Sequence, residues 1–232
     1  MSIQKTPEHN TIFFTWLNSY SCVLLKTPSK TILVDPVDVK VKDFPTLDAI
    51  LITHEHYDHL DVPLVASIQK NTDCEVIADQ ASTPKLQPSI PAGKLHEIRP
   101  GMKIALGQVT LKAQKSNHPP AKAPNTYLIT TEDNIEVFHT SDSNPYPEMG
   151  TMGQNQKIDI VFCTVGVAPG ATPETGAEIA WLTKPGLAVP YHTGSVEQQK
   201  RFEEIVKKKL KRTACLIPEQ KIIYQVTKRE DK

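Results

Sequence analysis

The alternation of apolar and polar positions divides the chain into two textures. Short runs rich in β-branched and aromatic residues come first, at residues 11–17, 20–26 and 31–34, punctuated by Thr27-Pro28-Ser29 and Asp35-Pro36. Such runs between turn residues predict an antiparallel meander. From residue 49 the pattern changes. An apolar run at 49–53 leads into Leu60, Leu64, Val65 and Ile68, which share one face at helical spacing, and a further run follows at 75–78. This predicts a strand, helix, strand unit. Strands return at 103–106, 109–113, 127–130 and 135–138. The last third alternates: strand 158–164, helix 173–182, strand 187–190, helix 196–210, then strands near 214–217 and 222–226.

Two halves that each follow strands with helices predict an α/β fold, a four-layer αββα sandwich of two mixed sheets with helices outside. No linker or repeat separates the halves, so residues 1–232 read as a single domain. Ser195 and Gln198 form an S-x-x-Q capping pattern ahead of the stripe Phe202, Ile205, Val206 and Leu210. Segment 144–156, with Pro145, Pro147, Gly150 and Gly153, reads as an irregular connection lying over the functional site.

Charge narrows the function classes. The chain has 26 Lys plus Arg against 26 Asp plus Glu, which disfavours a strongly basic nucleic-acid binder. Residues 195–232 carry eleven basic against six acidic side chains, so the remainder is net acidic. The cluster Lys207, Lys208, Lys209, Lys211 and Arg212 reads as a solvated helix end that complements the macrodipole. Cys22, Cys74, Cys163 and Cys215 form no C-x-x-C pair and read as reduced thiols. Stretch 11–25 is broken by Asn18, Ser19 and Ser21, and no run approaches a membrane span, so a soluble, cytoplasmic protein is expected.

The chemistry is concentrated in His54-Glu55-His56-Tyr57-Asp58-His59. Imidazole and carboxylate groups are what divalent transition metals take, and four of them within six residues suit a pair of neighbouring ions better than one. The run also opens an ordered set. Asp35 ends a strand, His118 follows Ser116-Asn117, Asp142 follows the strand through Phe138, and His192 closes Pro190-Tyr191.

In that order and over nearly the whole chain, these residues resemble the five motifs of the metallo-β-lactamase superfamily. The resemblance implies one metal held by His54, His56 and His118 and a second by Asp58, His59 and His192, with Asp142 bridging and Asp35 in support. It further implies a hydrolase in which a hydroxide shared by two divalent ions, Zn²⁺ before Mn²⁺ or Fe²⁺, attacks the substrate while Asp58 orients it or takes its proton. The short length and the late Pro-Tyr-His-Thr-Gly-Ser segment look most like the compact branch that includes L-ascorbate-6-phosphate lactonase. A small ester, lactone or phosphoester is therefore expected, and the free amides of the helix capped by Thr172 and begun by Pro173 favour an anionic one, with Tyr57 and Thr172 as substrate contacts. The alternatives are a phosphodiesterase acting on nucleic acid or a nucleotide, and a mononuclear iron oxygenase of the persulfide dioxygenase kind. His139 falls on the opposite face of its strand from Asp142 and reads as structural, as do His9 and His96.

Overall fold

Two seven-stranded sheets face each other in the computed structural model, which describes residues 5–228. The first holds β1 (Thr11–Trp16), β2 (Val23–Lys26), β3 (Thr31–Val34), β4 (Ala49–Ile52), β5 (Glu75–Ala78) and β6 (Leu95–Glu97). The second holds β7 (Lys103–Leu106), β8 (Val109–Lys115), β9 (Asn125–Thr130), β10 (Glu136–His139), β11 (Ile160–Thr164), β12 (Leu187–Tyr191) and β13 (Ala214–Cys215). The last strand, β14 (Tyr224–Thr227), returns to the first sheet and pairs with β1. Helices α1 (Val62–Thr72) and α2 (Thr83–Leu86) belong to the first half, and α3 (Pro147–Asn155), α4 (Pro173–Thr183) and α5 (Val196–Lys209) to the second.

Both sheets are built alike. β1 to β3 are antiparallel, and β3 to β6 run parallel. β7 to β10 are antiparallel, and β10 to β13 run parallel. Parallel neighbours end at one edge, so the loops that leave them gather there.

Strands buried on both faces are largely apolar, and β4 (Ala49–Ile52) and β11 (Ile160–Thr164) are buried at every position, with Thr164 at the end of β11 their one polar residue. Between the sheets, Phe14, Ile32, Leu51, Tyr127, Phe162 and Tyr191 belong to one continuous core. Phe14 and Phe162 meet across the sheets edge to face, with ring centroids 5.1 Å apart. Outside the first sheet, Val65, Ile68 and Leu86 cover Leu33, Ile50 and Val76. Outside the second, Ile179, Phe202 and Val206 cover Val161, Cys163 and Ala188. The layers are therefore helix, sheet, sheet, helix, as the sequence pattern predicts.

Local chemistry explains where the structure departs from that pattern. The expected strand 20–26 begins only at Val23, because Asn18 organises the preceding turn. Its side chain accepts from the Tyr20 and Cys22 amides and donates to the Val37 carbonyl at 2.7 Å. The S-x-x-Q pattern is half a capping box. Ser195 accepts from the Gln198 amide at 3.2 Å, but the Gln198 side chain turns to the Thr193 hydroxyl instead of returning to the cap. Segment 144–156 is not an irregular connection throughout. Asn144 bridges to Asn117, and from Pro147 the chain forms α3, which buries Met149 in the outer core and packs on α4. The glycines that read as breakers allow that contact: a methyl on Gly150 would touch the Leu182 side chain, and one on Gly153 would collide with the Leu182 carbonyl and Thr183 Cα.

Gly153→Ala should accordingly push α3 off α4. We expect a loss of about 1–3 kcal/mol, read as a lower urea midpoint with an unchanged slope, with no change in the residues of the opposite sheet edge.

Candidate metal centre

Five loops at one edge of the sandwich carry the polar residues that the sequence singles out. Asp35 follows β3, and the motif 54–59 follows β4. His118 lies between β8 and β9, Asp142 follows β10, and His192 follows β12. Three strand ends turn sharply: Asp35, Ser141 and His192 have φ of 46°, 50° and 55°, in the left-handed region that non-glycine residues avoid. Each such residue costs about 1–3 kcal/mol and persists only where its surroundings hold it. The hold on His192 is visible: the Val167 amide donates to its carbonyl at 2.9 Å, and Gly166 packs so closely that a Cβ there would lie 2.7 Å from the Thr193 hydroxyl.

The turns bring the residues together in two sets. His54, His56, His118 and Asp142 each offer one donor atom within 4.8 Å of the others, and so do Asp58, His59, Asp142 and His192. In the first set His56 Nδ1 lies 3.1 Å from His54 Nε2 and 3.2 Å from His118 Nε2. Asp142 Oδ2 stands 3.8 and 3.6 Å from the same two Nε2 atoms. The other oxygen of Asp142 faces the second set, 2.9 Å from His59 Nε2 and 3.4 Å from His192 Nε2. Asp58 Oδ2 completes that set, 3.7 and 3.9 Å from the same nitrogens. Asp142 thus belongs to both sets, one oxygen to each.

The polar accounting at the second set is open. His59 Nε2, His192 Nε2 and Asp142 Oδ1 are buried and make no hydrogen bond, although they lie close together. Buried polar atoms are paired in native proteins, so three convergent orphans require a partner among them. Neutral imidazole nitrogens and a carboxylate oxygen at such spacing are what a divalent cation satisfies, and the residues fit one at each set.

Charge within the site follows from its burial. His59 would be lowered by burial, but Asp142 and Asp35 outweigh that and raise it to about 10. Burial opposes ionisation of Asp142, yet His59, His192 and His54 hold it well below the usual carboxylate range. Burial pushes His192 down to about 4 and His54 well below its ordinary value.

Behind the two sets stands a polar layer. Asp35, fully buried, accepts from His59 Nδ1 at 2.8 Å, from the hydroxyls of Ser21 and Thr53 at 2.7 Å, and from the Thr53 amide at 2.8 Å. Ser21, Thr53 and Ser141 were not singled out by the sequence reading, although Thr53 directly precedes the motif and Ser21 is a polar residue within an expected strand. His139 lies outside both sets and faces the Ser21 carbonyl at 2.9 Å. Tyr20 is a further omission, its ring 6.1 Å from that of His192. The two expected substrate contacts are placed differently. Tyr57 is 79% exposed, whereas the Thr172 hydroxyl accepts from the Thr175 amide in a reciprocal capping box.

An αββα sandwich with two histidine and aspartate sets at one edge defines a class, and comparison with known proteins gives the same class. Residues 19–193 match the profile of the Beta-lactamase superfamily domain. The chain belongs to that superfamily and, within it, to the UPF0173 proteins. A UPF0173 protein of Pyrococcus abyssi is 34% identical over 178 residues, 76% of this chain and 81% of that one. A protein of Pyrobaculum islandicum named UPF0173 metal-dependent hydrolase is 26% identical, over 75% of this chain and 80% of its own. Among solved structures, a candidate metal-dependent hydrolase of Parabacteroides distasonis shares 27% identity with a TM-score of 0.74, covering 90% of this chain and 93% of that one. Igni18, a metallo hydrolase of Ignicoccus hospitalis, shares the fold at 17% identity, with a TM-score of 0.79 over 94% of this chain and all of its own.

His192 gives the metal-free protein a definite response to acid. Its folded pKa of about 4 lies below the ordinary 6.5, so as pH falls between these values the unfolded chain takes up a proton that the folded chain refuses. Chelator-treated protein should therefore melt at progressively lower temperature from pH 6.5 to pH 4. His192→Gln should make that slope shallower in the same calorimetric series, with the remainder coming from His54, His118 and His139, which burial lowers in the same direction.

Proposed function

We propose that this chain is a metal-dependent hydrolase with two divalent ions, zinc first among them. His54, His56 and His118 would hold one, Asp58, His59 and His192 the other, and Asp142 would bridge. The observation that carries this reading is the convergence of two sets of histidine and aspartate donors on one shared carboxylate, with His59 Nε2, His192 Nε2 and Asp142 Oδ1 of the second set buried and unpartnered. Ions bound there would lower the pKa of a shared water and polarise the scissile oxygen of the substrate.

The chain's own groups supply the rest. Asp142 neutralises charge between the two sets, and its fixed position sets their separation. Asp58, whose Oδ2 faces His59 and His192 at 3.7 and 3.9 Å, keeps its other oxygen to orient the attacking water or accept its proton. The strands that lead into these groups are buried over most of their length, which favours their being in place before substrate arrives. Tyr20 flanks the His192 side, where it would contact substrate.

A small ester, lactone or phosphoester is the substrate class we favour. A cleft of about 590 Å³ is lined by Thr193 and Gly194, which follow His192 in the chain, and by Ser19, Trp16, Ile217 and Pro218, with none of the donor residues in its wall. That volume suits a small molecule. The Thr172 hydroxyl is committed to its cap, so a preference for anionic substrates would rest instead on cations such as Lys85, whose ammonium donates to the Glu55 carbonyl between His54 and His56.

Elemental analysis of purified protein should give about two equivalents of metal. Stripping them should abolish hydrolysis of generic ester, lactone and phosphodiester substrates, and Zn²⁺ or Mn²⁺ should restore it. Less than one equivalent, with no hydrolysis after loading, would refute the reading. Asp58→Ala should cut kcat at least 10³-fold while the three-histidine set still retains metal. Full activity with two metals bound would show that Asp58 has neither role.

A further inference from the structure

Building on the metal-centre reading above, we infer that Thr53 is a positioning residue that carries the orienting hold of Asp35 from the second donor set to the first. Thr53 is fully buried at the end of β4. Its hydroxyl lies 2.7 Å from Asp35 Oδ2, 2.7 Å from Ser141 Oγ, 3.1 Å from His54 Nδ1 and 3.3 Å from His59 Nδ1. A hydroxyl donates once and accepts twice, so these four neighbours are not all bonded at once.

The tautomers decide among them. His54 and His59 both turn Nε2 toward the donor sets, so a neutral ring that ligates through Nε2 keeps its proton on Nδ1. His59 Nδ1 has Asp35 Oδ2 at 2.8 Å and gives its proton there. His54 Nδ1 has no carboxylate within reach among the described residues. Its neighbours are Thr53 Oγ1 at 3.1 Å and Ser141 Oγ at 3.5 Å. The Thr53 hydroxyl therefore donates to Asp35 and accepts from His54 Nδ1 and from Ser141, which fills its capacity.

One buried carboxylate then orients a histidine in each set, His59 directly and His54 through a single hydroxyl. Partners behind a ligand fix its ring orientation and tautomer, and losing one typically weakens metal binding 10–100-fold. If Thr53 only satisfied its own buried hydroxyl, its removal would lower stability and leave both metal affinities alone.

The test compares Thr53→Val, which keeps the shape and deletes the hydroxyl, with Thr53→Ser, which keeps the hydroxyl. Stepwise Zn²⁺ affinities are measured against a chromophoric chelator, with His56→Ala and Asp58→Ala marking which step belongs to which set. We expect Thr53→Val to weaken the first set about 10–100-fold and the second by no more than a few-fold. Thr53→Ser should bind like the wild type, and Asp35→Asn should weaken both sets. Thr53→Val with both affinities unchanged would overturn the inference while leaving the two-metal reading intact. A wild type that binds less than one equivalent would overturn that reading and the inference with it. If Thr53→Val fails to fold, ¹H–¹⁵N histidine spectra of the zinc-loaded wild type take its place. His54 protonated on Nδ1, with that proton slow to exchange, supports the inference, and protonation on Nε2 refutes it.

Discussion

Asp142 is a carboxylate buried with only 2% of its surface exposed, surrounded by imidazoles and by one further carboxylate, Asp58. Removing such a charge from water costs several kcal/mol unless positive charge and hydrogen bonds compensate. The rest of the site is the means of compensation. Without metal, His59 takes that part, because the charges of Asp142 and Asp35 on either side of its ring raise its pKa above the ordinary imidazole value. Cations in the two sets would supply the charge directly and free His59 to act as a neutral ligand. If cations fill the sets as proposed, metal uptake through His59 should release its extra proton.

The frame that makes this possible is the doubled sheet. Each donor set draws two members from each half: His54 and His56, or Asp58 and His59, from the loop after β4, and His118 with Asp142, or Asp142 with His192, from the second sheet. Neither sheet alone holds a complete set. The shared core of Phe14, Leu51, Phe162 and Tyr191 fixes the spacing, and the Tyr127 hydroxyl ties the second sheet to the Ile52 carbonyl at 2.8 Å, one residue before Thr53. The strained turns at Asp35, Ser141 and His192 can be maintained because the strands ahead of them are buried and cannot relax.

Much of this was legible in the sequence, for identifiable reasons. Buried parallel strands show as uninterrupted apolar runs, so β4 and β11 announce themselves. The motif 54–59 is dense enough to stand out without a fold, and the ordered positions of Asp35, His118, Asp142 and His192 supplied the remaining donors. What stayed hidden depends on contacts between distant segments. Gly150 and Gly153 look like helix breakers until α4 is placed against them, and Ser21 is an ordinary strand serine until Asp35 lies 2.7 Å away. β14 gives no sign that it crosses back to pair with β1.

Thr53 shows the same limit from the other side. Its position before His54 is obvious in one dimension, but its role is set by Ser141, 88 residues later, and by Asp35, 18 residues earlier. A hydroxyl placed among more neighbours than it can bond must choose, and the choice is dictated by which ring nitrogens are needed elsewhere. The donor sets therefore determine the network behind them as much as the network positions the donors. Each donor set then reads as one hydrogen-bonded unit with its supports, and the two units are joined at the front through Asp142 and at the back through Thr53 and Asp35.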